Sequence, residues 1–102
     1  MLRDKFQSEK TALGNVIALE HINLAVPNQK LATIFYISGL GLTRDPYMSV
    51  GHQNMWVNIG YQQFHLPTRS KQKIPGTIGL VVPSLSDLNI RLENVAPYLK
   101  ET

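Results

Sequence analysis

The sequence predicts an α+β fold, in which a complete βαβββ unit is followed by the first strand and helix of a second one. The first observation is an alternating segment, residues 18–28, whose apolar residues fall on one face of a strand and whose polar residues fall on the other. The second is a copy of that segment over residues 75–84, in which Thr77 corresponds to His21 and the other matches share one offset. A constant offset between matching segments is typical of a repeated supersecondary unit.

Length and composition predict one small cytoplasmic domain. The 102 residues include 43% hydrophobic ones, enough for a modest core, and no cysteine, which excludes disulfides and thiolate metal sites. No apolar run approaches the roughly 20 residues of a membrane span, and the N-terminus has no signal-peptide pattern. The net charge is +3, but the short basic run Arg69–Lys73 is interpreted as a solvated loop rather than a nucleic-acid patch.

The first unit begins after a polar lead-in, residues 1–17. A strand over about residues 18–26 ends at a proline, which has no amide hydrogen for a sheet ladder, and Asn28 then caps a helix of about ten residues. Gly39 and Gly41 are predicted to end this helix, because glycine accepts the left-handed conformation. The apolar stripe of the helix consists of Leu31, Ile34, Phe35 and Ser38, flanked by Ala32 and Ile37.

Three short segments of strand-type composition complete the first unit, which spans residues 18–67. Turns over residues 51–54 and 60–61 separate them, so they are predicted to form an antiparallel run. The predicted strands are Tyr47–Val50, Met55–Ile59 and Gln62–Leu66.

A polar loop over residues 67–75 leads to the second unit, residues 76–102, which closes a domain predicted over residues 18–102. In this unit Ser84 caps a helix, and Asp87 three residues later forms a variant of the capping box. The strand has the apolar residues Ile78, Leu80 and Val82, and the helix has Leu85, Leu88, Leu92 and Val95 before Pro97 ends it. The three strands that complete the first unit have no counterpart here.

This order of elements resembles the vicinal oxygen chelate superfamily, which includes glyoxalase I, extradiol dioxygenases and bleomycin-resistance proteins. The resemblance covers about residues 18–99 and rests on His21–Pro27, Phe35-Tyr36 with Gly39–Leu42, Gln63–Pro67 and Gly76–Pro83. It implies that two βαβββ modules pair, that their sheets enclose a cup, and that the cup can hold a divalent metal such as Zn, Ni, Fe or Mn. It also implies that this chain is truncated after one and a half modules.

The resemblance puts His21 and His65 at metal-ligand positions on the first and last strands of the first module. Independently, both histidines fall opposite the apolar residues of their strands in the alternating pattern. Thr77 takes the third ligand position and is a poor metal ligand. Since a catalytic zinc site normally has three protein ligands, two histidines predict weak metal binding or none.

Further residues are candidates for contact with a small-molecule ligand in the cup. Polar side chains on or near the cup face suit hydrogen bonds to such a ligand, and Trp56 could line its wall, although aromatic residues more often serve sheet packing. The candidate ligand-binding residues are Asn23, Trp56, Asn58, Gln63 and Thr77. The third histidine, His52, is interpreted as a surface residue in a turn.

The sequence leaves three functions open. The first is a metal-dependent lyase, isomerase or dioxygenase that acts on a small oxygen-rich molecule. The second is a metal-free module that binds or sequesters a small molecule, and the third is a truncated chain without activity of its own. The unfinished second module leaves strand edges unpaired, which predicts a homo-oligomer.

Overall fold

The computed structural model describes residues 1–46 and 53–100, which form a mixed α+β structure. The elements in chain order are α1 (Leu2–Glu9), β1 (His21–Asn23), α2 (Gln29–Thr33), a π-helical segment (Ile34–Gly39), β2 (Thr43–Arg44), β3 (Asn54–Ile59), β4 (Gln62–Pro67), α3 (Leu85–Val95) and a 3-10 turn (Ala96–Leu99). The first unit therefore has the predicted βαβββ order. The predicted strand Tyr47–Val50 and the turn that contains His52 lie outside the described residues.

The four strands form one sheet in the order β1-β4-β3-β2. β1 runs parallel to β4, with Asn23 opposite His65, whereas β4 pairs antiparallel with β3 and β3 antiparallel with β2. The turn predicted at residues 60–61 joins β3 to β4, and Gly60 has the positive φ of 58° that such a tight turn favours. β2 lies earlier in the chain than any strand predicted for this region.

The helix after β1 begins as predicted and ends with a wider turn. The side-chain oxygen of Asn28 accepts a hydrogen bond from the Leu31 amide at 3.1 Å, and Gly41 leaves the helix with φ 82°. Gly39 does not end the helix by a left-handed turn. It is instead a close-packing residue, because a Cβ there would lie 3.3 Å from Val95 of α3.

The hydrophobic core lies between the helix and one face of the sheet. The buried apolar residues are Leu24, Val26, Ala32, Met55, Val57, Phe64 and Leu66. Tyr36 and Ile37 pack against them, whereas Ser38, part of the predicted stripe, is exposed. The wider π-helical turn rotates the contact face away from the one that a regular helix would present.

The second unit is present as a helix without a paired strand. α3 has the predicted cap, since the Ser84 hydroxyl accepts a hydrogen bond from the Asp87 amide at 3.2 Å, and it packs against the π-helical segment. Residues 76–83 belong to no strand. A strand needs a neighbour for its backbone groups, and this segment pairs with neither edge strand of the described sheet, β1 or β2. Val81 is 101% exposed in this segment.

The predicted polar lead-in includes the two-turn helix α1, none of whose residues is buried. Within residues 1–46 and 53–100, no helix combines the length and the apolar character needed to cross a membrane.

Candidate functional site

One face of the sheet carries polar and aromatic side chains instead of core residues, and we call it the open face. Because side chains alternate along a strand, the residues between the core positions of β1, β3 and β4 all fall on this face, and the register extends it to β2. The open face consists of His21, Asn23, Thr43, Asn54, Trp56, Asn58, Gln63 and His65. Most of these side chains are half-buried.

Trp56 joins the two histidines of the open face. Its ring stacks on the His65 ring with 4.2 Å between centroids and 11° between planes. The His21 ring meets Trp56 edge-on at 5.0 Å and 64°. The structure therefore brings together His21 and His65, which the alternating pattern predicts on one face, and adds Trp56 between them.

Two asparagines flank the His65 ring. Its Nδ1 lies 3.2 Å from Asn23 Oδ1 and its Nε2 lies 2.6 Å from Asn54 Oδ1, so both ring nitrogens have an amide partner. Burial, and then the positive charges of His21 and Arg69, lower the pKa of His65 below its ordinary value of 6.5. The lowered pKa favours the neutral ring, which is held by the stack on Trp56 and by its contacts with the two asparagine side chains.

A second chain of hydrogen bonds runs across the sheet beside the histidines. Gln63 Nε2 donates both to Asp45 Oδ2 at 2.7 Å and to Asn58 Oδ1 at 3.0 Å. Asn58 Nδ2 in turn donates to the hydroxyl of Thr43 at 3.1 Å. The Asp45 carboxylate can only accept, so it fixes which way each amide in the chain points.

A cleft of about 550 Å³ adjoins the open face at Thr43 and Asn58. It lies between the β2–β3 end of the sheet and the segment that leads into α3. Its other walls are mostly apolar side chains, including Leu40, Leu42, Ile59, Leu80, Val82 and Leu88. The polar open face and the mostly apolar cleft therefore meet at Thr43 and Asn58.

The described side chains do not fit a catalytic metal centre. Both nitrogens of His65 already have amide partners, and Nδ1 of His21 lies 3.1 Å from Glu20 Oε1. Among the residues that the structure describes, no three side chains of His, Asp or Glu are grouped so as to hold a metal ion. Thr77 lies in the exposed segment before α3, and its contribution to the site stays a prediction, as does metal binding by the two histidines.

The sequence predicted six of the eight residues of the open face as metal or ligand contacts: His21, Asn23, Trp56, Asn58, Gln63 and His65. It missed Asn54 because the strand was predicted to start one residue later, although Asn54, Trp56 and Asn58 alternate. It missed Thr43 and Asp45 because no alternating pattern marks the short β2. The cleft depends on long-range packing and has no local sequence signal.

Comparisons with known proteins identify the fold. No family model matches the sequence, and no curated protein matches it significantly. Solved structures do match. An integron cassette protein from V. cholerae is 22% identical with a TM-score of 0.56, and the match covers 83% of this chain and 72% of that one. A protein from Bacillus anthracis assigned to the glyoxalase family is 16% identical with a TM-score of 0.60, and the match covers 83% of this chain and 75% of that one. A lactoylglutathione lyase from Agrobacterium tumefaciens matches at 16% identity and a TM-score of 0.53, and the match covers 81% of this chain and 73% of that one. The chain therefore has a glyoxalase-type fold.

Proposed function

We propose that this protein is a glyoxalase-type binding domain that holds a small molecule between the open face and the adjoining cleft. The polar head of the ligand lies on the open face and its apolar part lies in the cleft. The observation that carries the proposal is the cleft of about 550 Å³, whose mostly apolar walls meet hydrogen-bonding side chains at Thr43 and Asn58. Ligand sites commonly have this size and this combination of apolar walls with a few polar groups.

The rigidity of the open face supports binding. The stacked rings of Trp56 and His65 and the two hydrogen-bond chains hold the side chains in place before a ligand arrives. A preorganised surface loses little side-chain entropy on binding, which favours affinity. Lyase, isomerase or dioxygenase chemistry needs a further reactive group, and it stays a prediction from the resemblance.

A library screen by thermal unfolding tests the proposal. Ligands that bind only the folded state raise the melting temperature by mass action. Val81 lines the cleft and is 101% exposed, so Val81→Trp adds a large side chain at the rim of the cleft and should block binding without disturbing the core. Ile90→Trp, at an exposed position on α3 outside the cleft, is the matched control.

The expected result is a set of ligands that stabilise the wild type and Ile90→Trp but not Val81→Trp. Ligands that stabilise all three proteins equally would place the site elsewhere, and a screen without any stabilising ligand would contradict the proposal.

A second copy of the chain is the proposed partner. β1 and β2 are the edges of the described sheet, and large apolar side chains are exposed before β1, among them Leu13 (97%), Val16 (87%) and Ile17 (98%). Unpaired edges and exposed apolar side chains favour association. A homo-oligomer would bury them, and the open face would then form one half of a closed cup.

Weak binding of a divalent metal by His21 and His65 is a second candidate function. It is favoured by one observation, that both imidazole rings contact Trp56 on the open face. Two neutral imidazoles can bind Zn, Ni, Fe or Mn, but His65 would first have to give up a hydrogen bond to Asn23 or Asn54.

A further inference from the structure

The amide groups of Gln63 and Asn58 have only one possible orientation. Gln63 Nε2 uses both of its hydrogens, one for Asp45 Oδ2 at 2.7 Å and one for Asn58 Oδ1 at 3.0 Å. A half-turn of the Gln63 amide would bring its oxygen against the Asp45 carboxylate, where two acceptors would face each other. Asn58 must therefore turn its oxygen to Gln63, which leaves its nitrogen for Thr43 at 3.1 Å.

This fixed orientation leaves one acceptor and one donor unused. The unused acceptor is Gln63 Oε1, and the unused donor is the second hydrogen of Asn58 Nδ2. Neither has a hydrogen-bond partner among residues 1–46 and 53–100. Gln63 and Asn58 are directly opposite each other on β4 and β3. Their amides are joined by a hydrogen bond of 3.0 Å, so one small polar group that lies over the pair can reach both the unused acceptor and the unused donor.

The hydrogen-bonding groups around Gln63 argue against an anionic ligand head. Asp45 lies at one end of the amide chain, and Gln63 presents an acceptor beside it, so a carboxylate would meet two groups that cannot donate to it. Asn58 presents a donor, which an ammonium ion cannot use. A neutral group with one donor and one acceptor satisfies both amides.

We propose that the ligand head is a neutral carboxamide or lactam, which accepts a hydrogen bond from Asn58 and donates one to Gln63. The apolar part of the same molecule then extends into the cleft, which begins at Asn58. This inference rests on the proposed binding function and adds the chemical class of the ligand. A site that hydrogen-bonds its ligand on both sides rejects analogues that leave a polar group unpaired.

Three probes with the same aromatic ring test the ligand class: benzamide, benzoate and benzylamine. They are titrated into the full chain and followed by the indole N–H signal of Trp56, the only tryptophan of the sequence, and by the side-chain amide signals in NMR spectra. Benzamide should bind about tenfold more tightly than either charged probe, since each charged head leaves one of the two half-buried amides unpaired.

Asn58→Asp is the decisive variant, with Asn89→Asp on the exposed surface of α3 as the matched control. The aspartate can still accept from Gln63 but has lost the donor. Benzamide binding should fall about tenfold and benzylamine binding should rise, whereas Asn89→Asp should change neither.

Gln63→Leu gives a second variant if Asn58→Asp fails to fold, and it should also lose benzamide binding, because it removes the acceptor for the ligand N–H. The ligand class is wrong if benzoate binds the wild type as tightly as benzamide, if no probe shifts the Trp56 signal, or if benzamide binding survives both substitutions. The library screen tests the proposed binding function separately. If the ligand that it finds has no amide group, the proposed ligand class is wrong but the binding function is still supported.

Discussion

At the scale of single residues, His65 is the most constrained side chain of the open face. Trp56 stacks on its ring, and Asn23 and Asn54 lie within hydrogen-bonding distance of its two nitrogens. Both contacts are made by amide oxygens, which can only accept, whereas a neutral imidazole has one donor. One oxygen therefore accepts from the ring, and the other asparagine would have to turn its amide to donate to the second ring nitrogen.

Protonation of His65 should reduce the stability of the fold, because burial and neighbouring positive charges oppose a charge on the ring. Its pKa is lowered in the folded chain by burial and by the charges of His21 and Arg69. In the unfolded chain the pKa is about 6.5, so below that pH the unfolded state binds more protons and the free energy of unfolding falls. The melting temperature should drop between about pH 7.5 and pH 5.5, and His65→Gln should drop less over that range. An equal drop in both proteins would contradict this role.

Zinc titration by calorimetry tests the histidine pair. We expect weak binding or none by the wild type at neutral pH, because a two-histidine site lacks the third ligand of a typical zinc centre. Any binding should disappear in His21→Ala and in His65→Ala, and it should be lost below about pH 6.5, where histidine protonates. Tight stoichiometric uptake that survives either substitution would place the metal site elsewhere.

At the scale of secondary-structure elements, the cap of α2 fixes how the helix leaves β1. The Asn28 side chain satisfies the Leu31 amide, which has no partner within the helix. Asn28→Ala should reduce the free energy of unfolding by about 1 kcal/mol, measured by urea denaturation. Asn89→Ala on the exposed face of α3 is the control and should have a much smaller effect, since it removes no cap. Equal effects would show that the cap contributes nothing.

Elements with a strong local signal were predictable from the sequence. β4 alternates cleanly, with Phe64 and Leu66 buried, and the caps at Asn28 and Ser84 follow from residue type. Alternation alone was enough to place His21 and His65 on one face. These features depend on neighbours in the sequence, so no tertiary information was needed.

Features that depend on tertiary packing were not predictable. The π-helical segment Ile34–Gly39 turns Tyr36 toward Phe64 and exposes Ser38. Which of these side chains is buried depends on how the helix packs on the sheet, and the local sequence does not show this. The segment before α3 has the composition of a strand but pairs with no strand of the described sheet. The residue composition of this segment favours the strand conformation, but a strand forms only where its backbone also pairs with a neighbouring strand.

At the scale of the whole molecule, the exposed apolar side chains predict self-association. Sedimentation velocity at micromolar concentration should show a dimer or a larger species that dissociates on dilution. Replacing the exposed Val16 and Ile17 with serine should shift the distribution toward monomer, because the substitutions remove apolar surface that association would bury. A wild type that stays a folded monomer across this range would contradict the homo-oligomer.

The central claim is that a small molecule binds where the open face meets the cleft. Trp56 is the only tryptophan of the sequence and lies on that face, so its fluorescence reports on this site. Titration of the strongest ligand from the library screen into the wild type should change the Trp56 emission in a saturable way. The same ligand should bind Val81→Trp more weakly, as measured by thermal unfolding, because the new side chain blocks the cleft. A ligand that stabilises the protein but leaves the Trp56 emission unchanged, and whose affinity is the same in Val81→Trp, would contradict the claim.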